Sequence, residues 1–319
     1  MNTPDVTTAA AAPPASMTVQ QSPQKVMIVL FKRELWEHRN LWIVPVLVAV
    51  LMTLTAFVIH MGNFGPNSHA PRFFTPENRL AWFTIMTWAF SVPQYLIMSL
   101  VATFYLMDCL YTERKDRSIL FWKSLPVSDA MTVISKLLMG LVVLPLGVYL
   151  LAMVFGVLFQ VIWAVRVGAG SLPYVAVGWN TLAWLKTQGL MFYALIVCIL
   201  WLAPIAASLV LVSAWVRKNV FLWTSLPPVI AIILERVAFG TTYIAHLLEY
   251  RTWGMWSALG VNPTPPDGGQ HGRVVSLADL FDNVEMSKAF LNIDVWLGLA
   301  VAIAFVFAAV RIRRYRDDT

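Results

Sequence analysis

Side chains able to do chemistry are few in this chain, and they lie far apart. The five histidines, His38, His60, His69, His246 and His271, stand at no metal-ligand spacing from a cysteine or carboxylate. His60 and His69, with Met61 nearby, are the one pair that a bend would bring together. Cys109 and Cys198 are too few and too distant for a disulfide framework or a metal site. No GxxxxGK[ST] stretch exists to cradle nucleotide phosphates, and no GxSxG carries a nucleophile. Two charged features remain. One is the adjacent Glu235 and Arg236 in IILERVAFG. The other is residues 113–129, ERKDRSILFWKSLPVSD, where seven charges lie between two long apolar runs.

The elements around these residues belong to a membrane. Of 319 residues, 59% are hydrophobic and 13% charged, with mean hydropathy +0.68. A soluble domain carries about 25% charged residues. The net charge of +6 follows a topology rule, because the basic residues flank apolar segments; no nucleic-acid partner is expected. A bilayer core about 30 Å thick needs roughly 20 apolar residues of helix. Six segments qualify: Leu41 to His60, Trp82 to Met107, Leu137 to Trp163, Gly189 to Ala214, Val220 to Phe239 and Ile293 to Val310. The expected class is therefore all-α, a polytopic membrane protein with six transmembrane helices over 41–310.

Fifteen of the 23 Lys and Arg residues fall in 1–40, 108–136, 311–319 and at Arg217 and Lys218, which are the same side if the spans alternate. The positive-inside rule then places both termini and the 108–136 loop in the cytoplasm. Residues 1–24, rich in Ala, Pro, Ser and Thr and without an apolar signal core, are expected to form a disordered cytoplasmic tail. Residues 25–40, KVMIVLFKRELWEHRN, place Met27, Phe31 and Leu35 at helical spacing, as an interfacial amphipathic helix would; a plain basic flank is the alternative. Residues 311–319 are a basic tail. A large outer loop spans 240–292. Its first half, TTYIAHLLEYRTWGMWSALG, reads as helix, and its middle, VNPTPPDGGQHG, as a turn-rich loop. Five spans contain proline, and Pro227–Pro228 predicts a break in the fifth. Gly298 with Ala302, and Ala304 with Ala308, are small-residue pairs that let another helix approach.

Val220 to Glu235 covers roughly 22 Å of helix at about 1.5 Å per residue, which puts Glu235 and Arg236 in the outer third of the bilayer. They either line a gate there or reach the outer headgroups. As neighbours on a helix they point apart and do not neutralise each other. In the 108–136 loop, Ile119, Leu120, Phe121 and Trp122 place four large apolar side chains outside a span. Such a patch meets a protein partner or rests among headgroups. Pro126 stops a helix, and Ser128 or Asp129 can cap the next one.

Residues 113–136, ERKDRSILFWKSLPVSDAMTVISK, resemble the loop between the second and third helices of ABC-2 type transporter permease subunits. The resemblance extends to the N-terminal interfacial helix, the six spans, the outer loop before the last span and the basic tail. It implies a permease subunit of a bacterial ATP-binding cassette exporter in the cytoplasmic membrane. Such a subunit pairs with a second permease, identical or not, and with separate ATPase subunits that bind ATP and Mg; this chain holds no cofactor and is no enzyme itself. By position, the resemblance gives an ATPase-coupling role to Ile119, Leu120, Phe121, Trp122, Leu125, Pro126, Ser128 and Asp129. It makes Glu113, Arg114, Asp116 and Arg117 flanking charged contacts. The alternative from another class is a non-transporting scaffold that recruits a cytoplasmic partner through the same loop. An ion-coupled transporter fits less well, because it needs ionisable ligands at depth.

Overall fold

A computed structural model describes residues 23–58, 79–116, 118, 127–169, 180–259 and 284–315. Every regular element among them is a helix. In chain order these are α1 (Pro23–Glu37), α2 (Asn40–Val58), α3 (Arg79–Asp108), α4 (Tyr111–Lys115) and α5 (Asp129–Leu138). There follow α6 (Leu144–Ala169), α7 (Thr181–Trp215), α8 (Val220–Phe239), α9 (Tyr243–Trp253), α10 (Met255–Ala258), α11 (Met286–Leu291) and α12 (Ile293–Tyr315). Five helical stretches, containing α3, α5–α6, α7, α8 and α12, are long and apolar enough to cross a membrane. The bent pair α1–α2, joined at 62°, makes a sixth if counted as one span. The chain is thus a multi-span helical membrane protein. The N-terminal tail to residue 22, most of the outer loop 61–81, the turn-rich stretch 261–272 and residues 316–319 lie outside the described residues.

Each predicted span falls on a helix, but several run further than expected. The fourth begins at Thr181, where Asn180 caps it by accepting the Ala183 N–H at 2.9 Å. The sixth continues past Val310 to Tyr315. The expected break at Pro227–Pro228 does not occur: α8 is helical from Val220 to Phe239. Adjacent prolines remove only two neighbouring rungs of the ladder, and the hydrogen bonds resume on either side. The irregularity falls at Pro145 instead. A π-helical turn, Met139–Val143, joins α5 to α6 just before it. Widening the ladder there accommodates a residue without an N–H, and such turns bend or re-aim a helix.

Small residues set how closely the helices pack. Ala203 and Ala207 of α7 meet Ala302 of α12, all three buried, so these two helices form the most intimate pair. Trp42 of α2 lies over Gly147 of α6, where a β-carbon would overlap its ring. Gly298 makes room for the Arg251 guanidinium of α9, the nearest group to it. That guanidinium lies 4.8 Å from the ring of the fully buried Trp201, whose Nε1 donates to the Arg251 carbonyl at 2.9 Å. Tyr250 Oη donates to Asp294 at 2.7 Å, and this bond raises the Tyr250 hydroxyl above its ordinary pKa. The helical half of the last loop is therefore fixed to α7 and α12.

Helix α8 stands apart from this packing. Of its twenty residues only Val220 and Glu235 are buried, while Phe221, Leu226, Val229, Ile233 and Val237 are exposed along its length.

Candidate functional site: a buried charge network at the root of the loop

The stripe that α1 turns inward contains Leu30 and Glu34, both buried, flanked by the half-buried Met27, Phe31 and Leu35. A carboxylate on an apolar stripe must find a partner at its own depth. Glu34 finds Lys136 of α5, whose Nζ lies 2.7 Å from Oε1, and Tyr105 of α3, whose hydroxyl donates to Oε2 at 2.9 Å. His38 Nε2 stands 3.6 Å from the same Oε2, with its ring edge-on to Tyr105.

A second carboxylate sits beside the first. After the turn at Cys109–Leu110, the one-turn helix α4 directs Glu113 inward, to 4% exposure. Glu113 Oε1 accepts from Arg33 Nη2 at 2.9 Å and lies 3.2 Å from Lys136 Nζ; Oε2 accepts from Arg313 Nη1 at 2.8 Å. Arg313 also donates from Nε to Asp129 Oδ1 at 3.1 Å. Three cations, Arg33, Lys136 and Arg313, thus meet the buried Glu34 and Glu113 and, at the edges, Asp129 and Glu37. Five elements contribute to one contiguous cluster: α1, α3, α4, α5 and α12. Lys136 retains 1% exposure and the Arg313 side chain 4%.

The start of the loop is tied down a second time. The N–H groups of Leu110 and Tyr111 donate to Ser213 Oγ of α7 at 3.0 and 3.1 Å. Arg114 Nη2 donates to the Ser213 carbonyl and, at 2.8 Å, to the Val216 carbonyl, meeting acceptors at the C-terminal end of α7. At the far end of the loop, Ser128 caps α5 by accepting the Met131 N–H at 3.2 Å, which decides between the two expected candidates, Ser128 and Asp129.

Of the residues that the resemblance marks for coupling, Ser128 and Asp129 begin α5, at the edge of this network. Ile119, Leu120, Phe121, Trp122, Leu125 and Pro126 lie outside the described residues, as does Arg117. Among the flanking charges, Asp116 is exposed at the end of α4, whereas Glu113 and Arg114 are engaged within the chain; any contact they made with a partner would first require these bonds to open. The outer pair is divided as its spacing predicts. Glu235 bends back over the turn at Gly240, where φ is 65°, and accepts from Tyr243 N at 2.6 Å, Ile244 N at 2.8 Å and Thr241 Oγ1 at 2.7 Å. It caps α9, while Arg236 is exposed on another face.

Sequence reasoning passed over Arg33, Glu34 and Arg313 as site residues and read Lys136 only as the lead into a span. A signal was present: Glu34 interrupts an apolar stripe, and Lys136 is an isolated cation in the amphipathic α5. Nothing local pairs one with the other across 102 residues. Among the described residues no three His, Cys, Asp or Glu side chains converge as metal ligands. The cluster ties both roots of one loop to the first and the last of the described helices. Comparison with protein-family models, with curated proteins and with solved structures gives no match for this chain.

Proposed function

We propose that this chain is the membrane-spanning permease subunit of an ATP-binding cassette exporter of the ABC-2 type. In this reading the 108–136 loop and both termini face the cytoplasm of a bacterial cell, and α1 lies along the inner membrane surface. The apolar tip at Ile119–Trp122, with Leu125 and Pro126, sits in a groove of a separate ATPase subunit. ATP and Mg belong to that partner. Closure of two ATPases pushes the loop and tilts the spans between inward and outward access, biasing a two-state bundle.

The observation that carries this reading is the charge network. A loop that merely rested on lipid would need no buried anchor at both roots. In this reading a push on 119–126 passes to α1, α5 and α12, which the ion pairs of Glu113, Asp129 and Lys136 tie together. The apolar face of α8 supports a second permease subunit, because a helix so little covered by its own chain suits a partner helix.

The test is co-expression with the ATPase subunit encoded nearest to this chain. The expected result is co-purification and ATP hydrolysis that both fall sharply with Phe121→Asp or Leu125→Asp. If the partner binds through this loop but its hydrolysis is unaffected by either variant, the chain is a recruiting scaffold instead.

A further inference from the structure

The elbow between α1 and α2 covers a cavity of about 460 Å³ against the end of α3. One wall is apolar: Leu41 and Val44 from α2, Val101 and Phe104 from α3. The rim carries Trp36, Glu37, His38, Arg39, Asn40 and Asp108. The first apolar stretch begins here and the second ends here, so the cavity lies where hydrocarbon gives way to headgroups. Trp36, 78% exposed, stands beside it as an interfacial aromatic would.

The charges on the rim differ in how far they are satisfied. Glu37 is bonded to Arg33 at 3.0 Å, and His38 faces Glu34 and Tyr105. Arg39, on the elbow, and Asp108, at the end of α3, are both exposed, and neither has an ion-pair partner among the described residues. One cation and one anion thus remain on the rim of a single cavity with an apolar wall. We propose that this cavity binds a zwitterionic phospholipid bearing a primary ammonium, with its phosphate at Arg39, its ammonium at Asp108 and the start of an acyl chain along Val44, Val101 and Phe104.

The charge pattern selects this occupant. An anionic headgroup would satisfy Arg39 but meet repulsion from Asp108. A quaternary ammonium has no N–H to donate to the Asp108 carboxylate, whereas a primary ammonium has three. A free headgroup would leave the apolar wall wet. The inference requires only that the chain spans a membrane, and stands whether or not the chain exports anything.

The full chain, purified in mild detergent, is mixed with equal amounts of phosphatidylethanolamine, phosphatidylcholine and phosphatidylglycerol of matched acyl chains. Bound lipid is read by native mass spectrometry. Phosphatidylethanolamine adducts are expected to exceed phosphatidylcholine adducts by about fivefold, the worth of one charge contact near a membrane surface. Asp108→Asn brings the two to parity without reducing phosphatidylcholine, and Arg39→Gln lowers both by a similar factor. Lys32→Gln, on an exposed residue of α1 outside the cavity, changes neither. Both cavity side chains are exposed, so an unchanged melting temperature confirms that each variant is folded. Equal retention of the two zwitterionic lipids by the unaltered protein, or a preference that survives Asp108→Asn, overturns the proposal. So does dominance of phosphatidylglycerol, which would reduce the binding to attraction by the basic flank.

Discussion

Among single residues, Lys136 has the most to lose. Its ammonium lies between two buried carboxylates, 2.7 Å from Glu34 and 3.2 Å from Glu113. Removing one partner of a buried pair leaves a charge that nothing solvates, at a cost of about 3–5 kcal/mol. Lys136→Met is therefore expected to lower the unfolding midpoint of the detergent-solubilised protein severely. Adding Glu34→Gln should recover part of the loss, since the second change removes the charge that was stranded. A double-mutant cycle on thermal unfolding measures that coupling. Additive losses would mean that the two side chains do not share one network. The neighbouring Arg33–Glu37 bond makes a contrast, since Glu37 is far more exposed and such pairs are worth about 0–1 kcal/mol.

The helices lend themselves to two further measurements. Glu235 caps α9 from the preceding helix, so Glu235→Ala should fray the first turn of α9. Faster hydrogen exchange at the Tyr243 and Ile244 amides is the expected sign, with Arg236→Ala leaving both unchanged. Gly147 admits the Trp42 ring, so Gly147→Ala should force α2 away from α6 and destabilise the fold by about 1–3 kcal/mol, read as a lower melting temperature. These elements differ in how legible they were. Length and apolarity were enough to place all six long segments on helices, because a bilayer demands both of any spanning helix. The continuity of α8 through Pro227–Pro228 was not legible, since proline states which rungs are lost but not whether the helix bends around them. Nor was the π-turn, at which Gly140 packs against the side chains of Leu106 and Tyr105 from another helix.

At the scale of the molecule, α8 is, among the described helices long enough to span a membrane, the one that its own chain covers least. If it meets a second permease subunit, single cysteines at Leu226 or Ile230, in a background lacking Cys109 and Cys198, should cross-link between copies in membranes; cysteines at the buried Ala203 should not. Failure of every α8 position to cross-link would count against an assembly of identical subunits through this helix. The candidate site was only half legible at this scale. The loop drew notice because charge is rare in so apolar a chain, and the cap of α5 was legible as Ser128 or Asp129. The partners of Glu113 did not, because they come from α1, α5 and α12, and only the closed bundle brings those together.

That closure also has an order along the chain. Glu113 has Arg33 and Lys136 beside it from earlier in the chain, whereas the ion pair of Asp129 needs Arg313, 184 residues further on. Docking of α12 against the rest of the bundle is therefore the step that completes the network, because among the described residues it alone brings a cation to Asp129.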